Sequence, residues 1–238
     1  MEINYYATLS YFLGVNQRIA RNITFRAFNL FMPYFISIDH GIWRMICLFE
    51  NIRRRKSEKI ELSSKSMMII RPEKIKDYTA IHGVNELAFG QRDEADLIEA
   101  LRKSDSFIPE LSLVAVQKGE VIGHILFSPV VIKSKERVIS ALALAPMAVH
   151  PKFQNKGVGS KLIYRGFEDC QRLGYKIVVV IGHPGYYPRF GFLPARDKGL
   201  DVAFPVPDEA FMVLELVPGA LDITQGEIIY PPAFQEVS

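Results

Sequence analysis

The sequence predicts an α/β domain with a mixed central sheet flanked by helices, preceded by an N-terminal appendage of different character. Three observations carry this expectation. From Met67 onward, strand signals and helix signals alternate. Tyr175 to Ile181, YKIVVVI, is a continuous β-branched run of the kind found in strands buried on both faces. Aromatic and basic residues concentrate in residues 1–66, which hold eleven of the twenty-seven aromatic side chains and ten Lys/Arg against five Asp/Glu. The remainder carries a formal charge of −2, so charge gives no reason to expect a nucleic-acid partner there.

Composition excludes several classes. At 238 residues, 49% hydrophobic and 23% charged, the chain is not wholly disordered, collagen-like or a coiled coil. Its two cysteines, Cys47 and Cys170, form no disulfide framework and suit a reducing compartment, so a cytoplasmic location is expected.

Residues 1–66 read as an extension and linker, and residues 67–238 as the working domain. The densest apolar run, Phe25 to Phe49, approaches membrane-spanning length. It is interrupted by Arg26, Asp39, His40 and Arg44 and broken at Pro33, so it is a poor bilayer span. It also lies too far from the start to be a signal peptide and is followed by no small-residue cleavage site. The basic cluster Arg53, Arg54, Arg55 and Lys56 comes after it. Three readings stay open: an interfacial anchor drawn to an anionic membrane surface, an appendage that packs or binds a partner, and a segment that contributes little.

MMIIR, bounded by Pro72, is a short strand. KDYTAIHGVNELAF and DEADLIEALRKS carry apolar residues at helical spacing, the second with acids near its start. LSLVAVQKGEVIGHILFSPVVI reads as two strands joined by a turn at Lys118-Gly119. Arg137 to Val149 is another strand, Gly157 to about Leu173 a helix ended by Gly174, and Tyr175 to Ile181 a buried strand. AFMVLEL and the segment near Ile228 are further strands. Pro194 to Pro207, rich in Asp, Gly and Pro, is expected to be a loop that shapes an acceptor site.

The strongest chemical signal is the junction MAVHPKFQNKGVGSKLI. A strand ends at Val149 and His150, a turn contains Pro151, and Gln154, Asn155, Lys156, Gly157, Val158, Gly159 and Ser160 open a helix. Glycines let such a turn gather backbone N–H groups around one point, and the helix dipole adds positive potential, which suits a phosphate or pyrophosphate. Two nucleotide motifs fail. Leu162 occupies the third glycine position of G-x-G-x-x-G, and Gly159 lacks the glycine five residues earlier that G-x-x-x-x-G-K-[ST] needs.

Gln154 to Gly159 resembles the acetyl-CoA signature of the GNAT superfamily of N-acetyltransferases, [RQ]-x-x-G-x-[GA]. The preceding M-A-V-H-P resembles that family's strand exit, and Tyr187 to Phe192 resembles its Y-x-x-x-G-F element. The run GHPGYYPRFGF and the ending YPPAF are similar to a bacterial subgroup of predicted acetyltransferases. The likeness covers about Met68 to Phe234 and leaves out residues 1–66.

The resemblance implies a GNAT-like acyl-CoA N-acyltransferase fold, with acetyl-CoA lying between two parallel strands that part, here Ala141–Val149 and Lys176–Ile181. Pro146 fits an opening, because it deletes a ladder donor. Backbone groups of Met147, Ala148 and Val149 would pair with the pantetheine amides, and Asn155 to Ser160 would hold the pyrophosphate, with Gln154 opening the signature. The implied reaction is attack of a primary amine, small or protein-borne, on the thioester. A strand amide near Ala148 or Val149 would serve the oxyanion, and Tyr187 would protonate the departing thiolate. The base is left open among His124, His150, His183, Glu110 and Glu86. Cys170 is expected to be a packed thiol, and no metal is expected. The rival reading is a non-catalytic acyl-CoA-binding sensor on the same fold, held at a membrane or partner through residues 1–66.

Overall fold

The computed structural model describes residues 67–235; the readings of residues 1–66 lie outside the described residues. The order is β1 (Ile69–Pro72), α1 (Tyr78–Phe89), α2 (Asp93–Lys103), β2 (Ser112–Gln117), β3 (Glu120–Lys133), β4 (Val138–Val149), α3 (Val158–Arg172), β5 (Ile177–Ile181), β6 (Leu193–Pro194), β7 (Leu200–Val202), β8 (Phe211–Glu215) and β9 (Gly226–Ile229). The strands form one mixed sheet in the order β1-β2-β3-β4-β5-β8-β6, with β9 pairing the far end of β3 and also β7. The chain thus has the α/β architecture expected.

Local sequence explains the joints. Lys118 and Gly119 both adopt the left-handed conformation, φ 52° and 85°, which a two-residue hairpin turn requires. α3 ends where Gly174 takes φ 87° and the Tyr175 amide donates back to the Cys170 carbonyl, 3.0 Å, a Schellman closure. Pro194 to Pro207 differs from the expected plain loop. It holds the end of β6, a 3-10 turn at Arg196–Lys198, and β7, which runs parallel to β9. Strands of two or three residues are too short to show an alternating pattern.

Three apolar clusters divide the interior. α3 packs on one face through Val158, Leu162 and Ile163, against Phe127, Leu142 and Val178. α1 and α2 cover the other face through Ile81, Ile98 and Leu101, against Val114 and Leu126. A third cluster lies under the C-terminal strands, around Val179, Phe211 and Val213. Cys170 is fully buried in the α3 cluster, and burial pushes its thiol well above the usual range, as expected of a packed cysteine.

Two features of β4 open the sheet. Its antiparallel register with β3 pairs Leu144 with Phe127 and Met147 with Ile125, so Ala145 and Pro146 together face the single residue Leu126. This is a β-bulge at the proline, which has no N–H to give the ladder. On the other edge, β4 pairs in parallel with β5 only at Leu142–Val178 and Ala143–Val179. β4 runs on for six further residues and β5 for two, so the strands part just before the bulge.

On the α1 face a buried polar quartet ties three strands to α2. Arg102 donates from Nε and a terminal nitrogen to both oxygens of Glu73, at 2.7 and 2.8 Å. Ser112 Oγ donates to Glu73 Oε2, 2.7 Å, and His124 Nε2 lies 2.9 Å from Ser112 Oγ. The serine proton is spent on the carboxylate, so His124 donates from Nε2 and keeps a bare Nδ1, a buried atom without a partner. Burial would raise the Glu73 carboxyl, but hydrogen bonds from Arg102, His124 and Ser112 outweigh it and hold it at about 2. Burial lowers the His124 imidazole, so the ring is neutral.

Glu73→Gln leaves the buried Arg102 without its counter-charge and is expected to lower unfolding stability by about 3–5 kcal/mol at pH 7. A carboxyl depressed in the folded state contributes stability above its unfolded pKa of about 4.3 and loses it as pH falls toward the folded value. The gap between wild type and Glu73→Gln in urea melts should therefore narrow between about pH 4 and pH 2. A gap that stays constant over that window contradicts an ionised Glu73.

Candidate active site

The gap between β4 and β5 presents one strand edge with known polarity. The His150 amide, just past β4, donates to the Ile122 carbonyl of β3, 3.0 Å. Backbone direction alternates along a strand, and the register from Val149 to Met147 is unbroken. Ala148 therefore also faces β3, and Met147 and Val149 turn their N–H and C=O groups toward the gap. Of the three expected residues, these two present backbone groups there. Ala148, 2% exposed, places its small side chain on the α1 face beside His124.

The loop after β4 is folded by its own residues. His150 Nδ1 accepts from the Lys152 amide, 3.2 Å, and Gln154 Nε2 donates to the Val149 carbonyl, 3.1 Å, bracing the strand exit. Asn155 takes φ 59° and Gly157 φ 78°, two left-handed residues that reverse the chain into α3. Gly157 is the N-cap, and no side chain caps the helix there. The amides of Val158, Gly159 and Ser160 are thus first-turn donors at the positive end of a fifteen-residue helix. Lys156 Nζ turns back to the Lys152 carbonyl, 2.8 Å. Gly159 is buried, and its missing side chain matters: a Cβ there would stand 2.6 Å from the Tyr186 hydroxyl.

On the β5 side, Tyr187 opens a 3-10 turn, Tyr187–Phe190, and is 8% exposed. Its ring lies against Gly182, where any Cβ would overlap it, and contacts Tyr186 and Phe192 edge-on at 5.2 and 5.6 Å. Burial, with the neighbouring Tyr186, pushes its phenol above the usual range, so it stays protonated.

The five candidate bases are scattered. His124 is interior and held in the quartet. His150 and His183 each accept a backbone amide at Nδ1, from Lys152 and Gly185. When neutral, each therefore carries its proton on Nε2 and has its lone pair engaged. Glu86 and Glu110 are exposed, on α1 and on the 3-10 turn before β2. A cavity of about 660 Å³ lies beside α1, lined among others by Lys76, Leu87, Val121, Glu120 and His150. Among the described residues, no group of three or more His, Cys, Asp or Glu could hold a metal ion, and no helix is long and apolar enough to cross a membrane.

Linear sequence hid two things here. The quartet joins residues 29 and 39 positions apart, which no local pattern shows. Tyr186 reads as a packing neighbour of Tyr187, yet its hydroxyl reaches the helix after β4.

Parallel strands that part beside an uncapped helix N-terminus define the class of site, one whose geometry suits an extended ligand with an anionic group. Comparison with known proteins gives that class its family. Residues 69–195 match the Acetyltransferase (GNAT) domain. The uncharacterized N-acetyltransferase YjhQ of Escherichia coli K12 is 42% identical over 134 residues, 56% of this chain and 74% of YjhQ. The uncharacterized N-acetyltransferase YhbS of the same strain is 34% identical over 168 residues, 70% of this chain and 98% of YhbS. The crystal structure of Escherichia coli YhbS in complex with CoA superposes with a TM-score of 0.66 at 32% identity, covering 71% of this chain and 92% of that one. A GNAT family acetyltransferase from Brucella melitensis in complex with acetyl-CoA does so with a TM-score of 0.58 at 34% identity, covering 71% and 99%. This chain belongs to the GNAT family of acetyltransferases, and its described domain has the GNAT fold.

Proposed function

We propose that this protein is an N-acetyltransferase that moves the acetyl group of acetyl-CoA to a primary amine by direct attack on the thioester. The observation that carries the reading is the end of the β4–β5 ladder at Ala143–Val179, beside the uncapped first turn of α3. The CoA and acetyl-CoA held by the YhbS and Brucella structures support it.

The residues present suit that cosubstrate. The amides of Asn155 to Ser160, with Lys156 and the turn made by Gly157, face a pyrophosphate with positive potential. Met147 and Val149 offer the pantetheine amides an open strand edge, as an added strand would use it. Ala148 keeps the floor small, and Gln154 holds the Val149 carbonyl in place.

In the reaction, the amine nitrogen bonds to the thioester carbon and the C–S bond breaks. A gap-facing amide of β4, Val149 for instance, stabilises the oxyanion. The thiolate takes a proton from Tyr187, whose burial keeps it protonated until the leaving group forms. The incoming ammonium must first lose a proton. His124 is locked in the buried quartet, and His150 and His183 have their lone pairs engaged, so the proton leaves through water rather than to a histidine in the gap. The acceptor is a small-molecule or protein amine, the setting cytoplasmic. Division into an appendage of residues 1–66, able to meet a membrane surface, and a working domain of residues 67–238 belongs to the same proposal.

Two variants test it in the full chain. Tyr187→Phe should lower kcat by about a hundredfold and leave the Kd for acetyl-CoA within about twofold. Unchanged turnover removes Tyr187 from the chemistry, and wild-type binding without turnover on any amine favours the sensor. Gly157→Glu should weaken CoA binding by about a hundredfold or more in calorimetric titrations, since a carboxylate then faces the pyrophosphate. Retained affinity in a variant with native circular dichroism contradicts the cofactor site.

A further inference from the structure

We propose that Tyr186 is a positioning residue that fixes the first turn of α3 for the pyrophosphate of the donor. This rests on the acetyl-CoA reading and goes beyond it, because the resemblance singles out Tyr187 at this turn.

Three side chains meet at one point of the helix. From the position a Cβ would take on Gly159, the Tyr186 hydroxyl is 2.6 Å away, Val149 Cγ2 3.6 Å and Met147 Cε 3.7 Å. Met147 and Val149 belong to the β4 lip of the gap. Tyr186 comes from the other lip, five residues past the end of β5. The phenol therefore spans the mouth of the gap and lands on the turn whose amides face the anion. Gly159 is required there because the phenol oxygen occupies the space that any larger side chain needs.

The ring is held rigidly. The Arg189 guanidinium lies 4.2 Å over its centroid, and Arg189 Nε donates to the Tyr186 carbonyl, 2.9 Å. Tyr187 and Phe190 flank it at 5.2 and 5.3 Å. A ring so bounded places its hydroxyl with little freedom.

The hydrogen-bond partner of that hydroxyl is Ser160, the third residue of α3. Ser160 Oγ donates to the phenol oxygen, since the bond lowers the phenol that burial raises, so the fixed ring sets where the serine and the first turn of α3 stand beside the phosphate. The same bond stops the serine from turning back onto a carbonyl of the preceding turn, the usual competing fate of such a hydroxyl. Tyr186 thus acts through Ser160 and the first-turn amides and touches no reacting atom.

The test separates the pyrophosphate end from the thioester end. In the full chain, Tyr186→Phe should raise the Kd and KM for acetyl-CoA about tenfold, with kcat at saturation within about twofold. Ser160→Ala should do the same, and the double variant should be no worse than either. Acetyl-pantetheine lacks the pyrophosphate, so its kcat/KM should not change in any of the three. A loss with acetyl-pantetheine equal to that with acetyl-CoA overturns the proposal, because Tyr186 then acts at the thioester. Unchanged acetyl-CoA affinity in Tyr186→Phe overturns it as well, as does full additivity with Ser160→Ala. The contact also has a readout without ligand. Gly159→Ala should lower Tm, and adding Tyr186→Phe should recover most of the loss by removing the atom the new methyl meets; no recovery contradicts the contact. A wild-type chain that binds neither CoA nor acetyl-CoA, while showing this recovery, overturns the function itself and with it the pyrophosphate role, leaving a structural contact.

Discussion

Everything at the candidate site depends on β4 being a sheet strand on one edge and an open edge on the other. Its bonds to β3 hold it in the core from Val138 to Val149, and its bonds to β5 stop at Ala143. A strand leaves a parallel neighbour at a cost, since each abandoned N–H and C=O must find another partner. Pro146, opposite Leu126, has no N–H to give the β3 ladder, and the bulge at Ala145–Pro146 re-aims the last residues of the strand. Leu144 before the bulge and Met147 after it both serve the α3 side, so three residues do the work of two. That shift in phase turns Met147 and Val149 toward the gap and Ala148 toward β3.

Both sides of the opening are anchored elsewhere in the fold. Behind β4, the Glu73–Arg102–Ser112–His124 quartet joins the end of β1, β2, β3 and α2, and His124 stands directly opposite Ala148. Its charges are out of water, so removing one member exposes the others to a low dielectric without a partner. In front, the aromatic group of Tyr186, Tyr187, Phe190 and Phe192 ties the β5 side to α3. The two lips are separate in the sheet, and side chains from both meet at Gly159.

Much of this was legible in the chain. The β-branched run before Ile181, the Lys118-Gly119 turn and the Gly174 stop each obey local rules, and each stands where those rules put it. The glycine-rich turn from β4 into α3 was legible too, because amide donors, glycines and a helix start are all contiguous. The missing parts are those that depend on distance or phase. β6 and β7 are set by neighbours they pair with, β8 and β9, and their own two or three residues carry no period. Ala148 reads as equivalent to Met147 and Val149 until the bulge fixes which way each faces. The task inferred for Tyr186 needs a helix twenty-six positions earlier in the chain to be visible.

The role proposed for β4 is to offer Met147 and Val149 to an extended ligand. Residue-resolved amide hydrogen exchange of the full chain, with and without acetyl-CoA, tests it most directly. The Ala148 amide should be protected in both states, because it is bonded to β3, whereas the Met147 and Val149 amides should exchange faster without ligand and gain protection with it. Protection gained at Ala148, or no change at Met147 and Val149 when acetyl-CoA is bound, would contradict it.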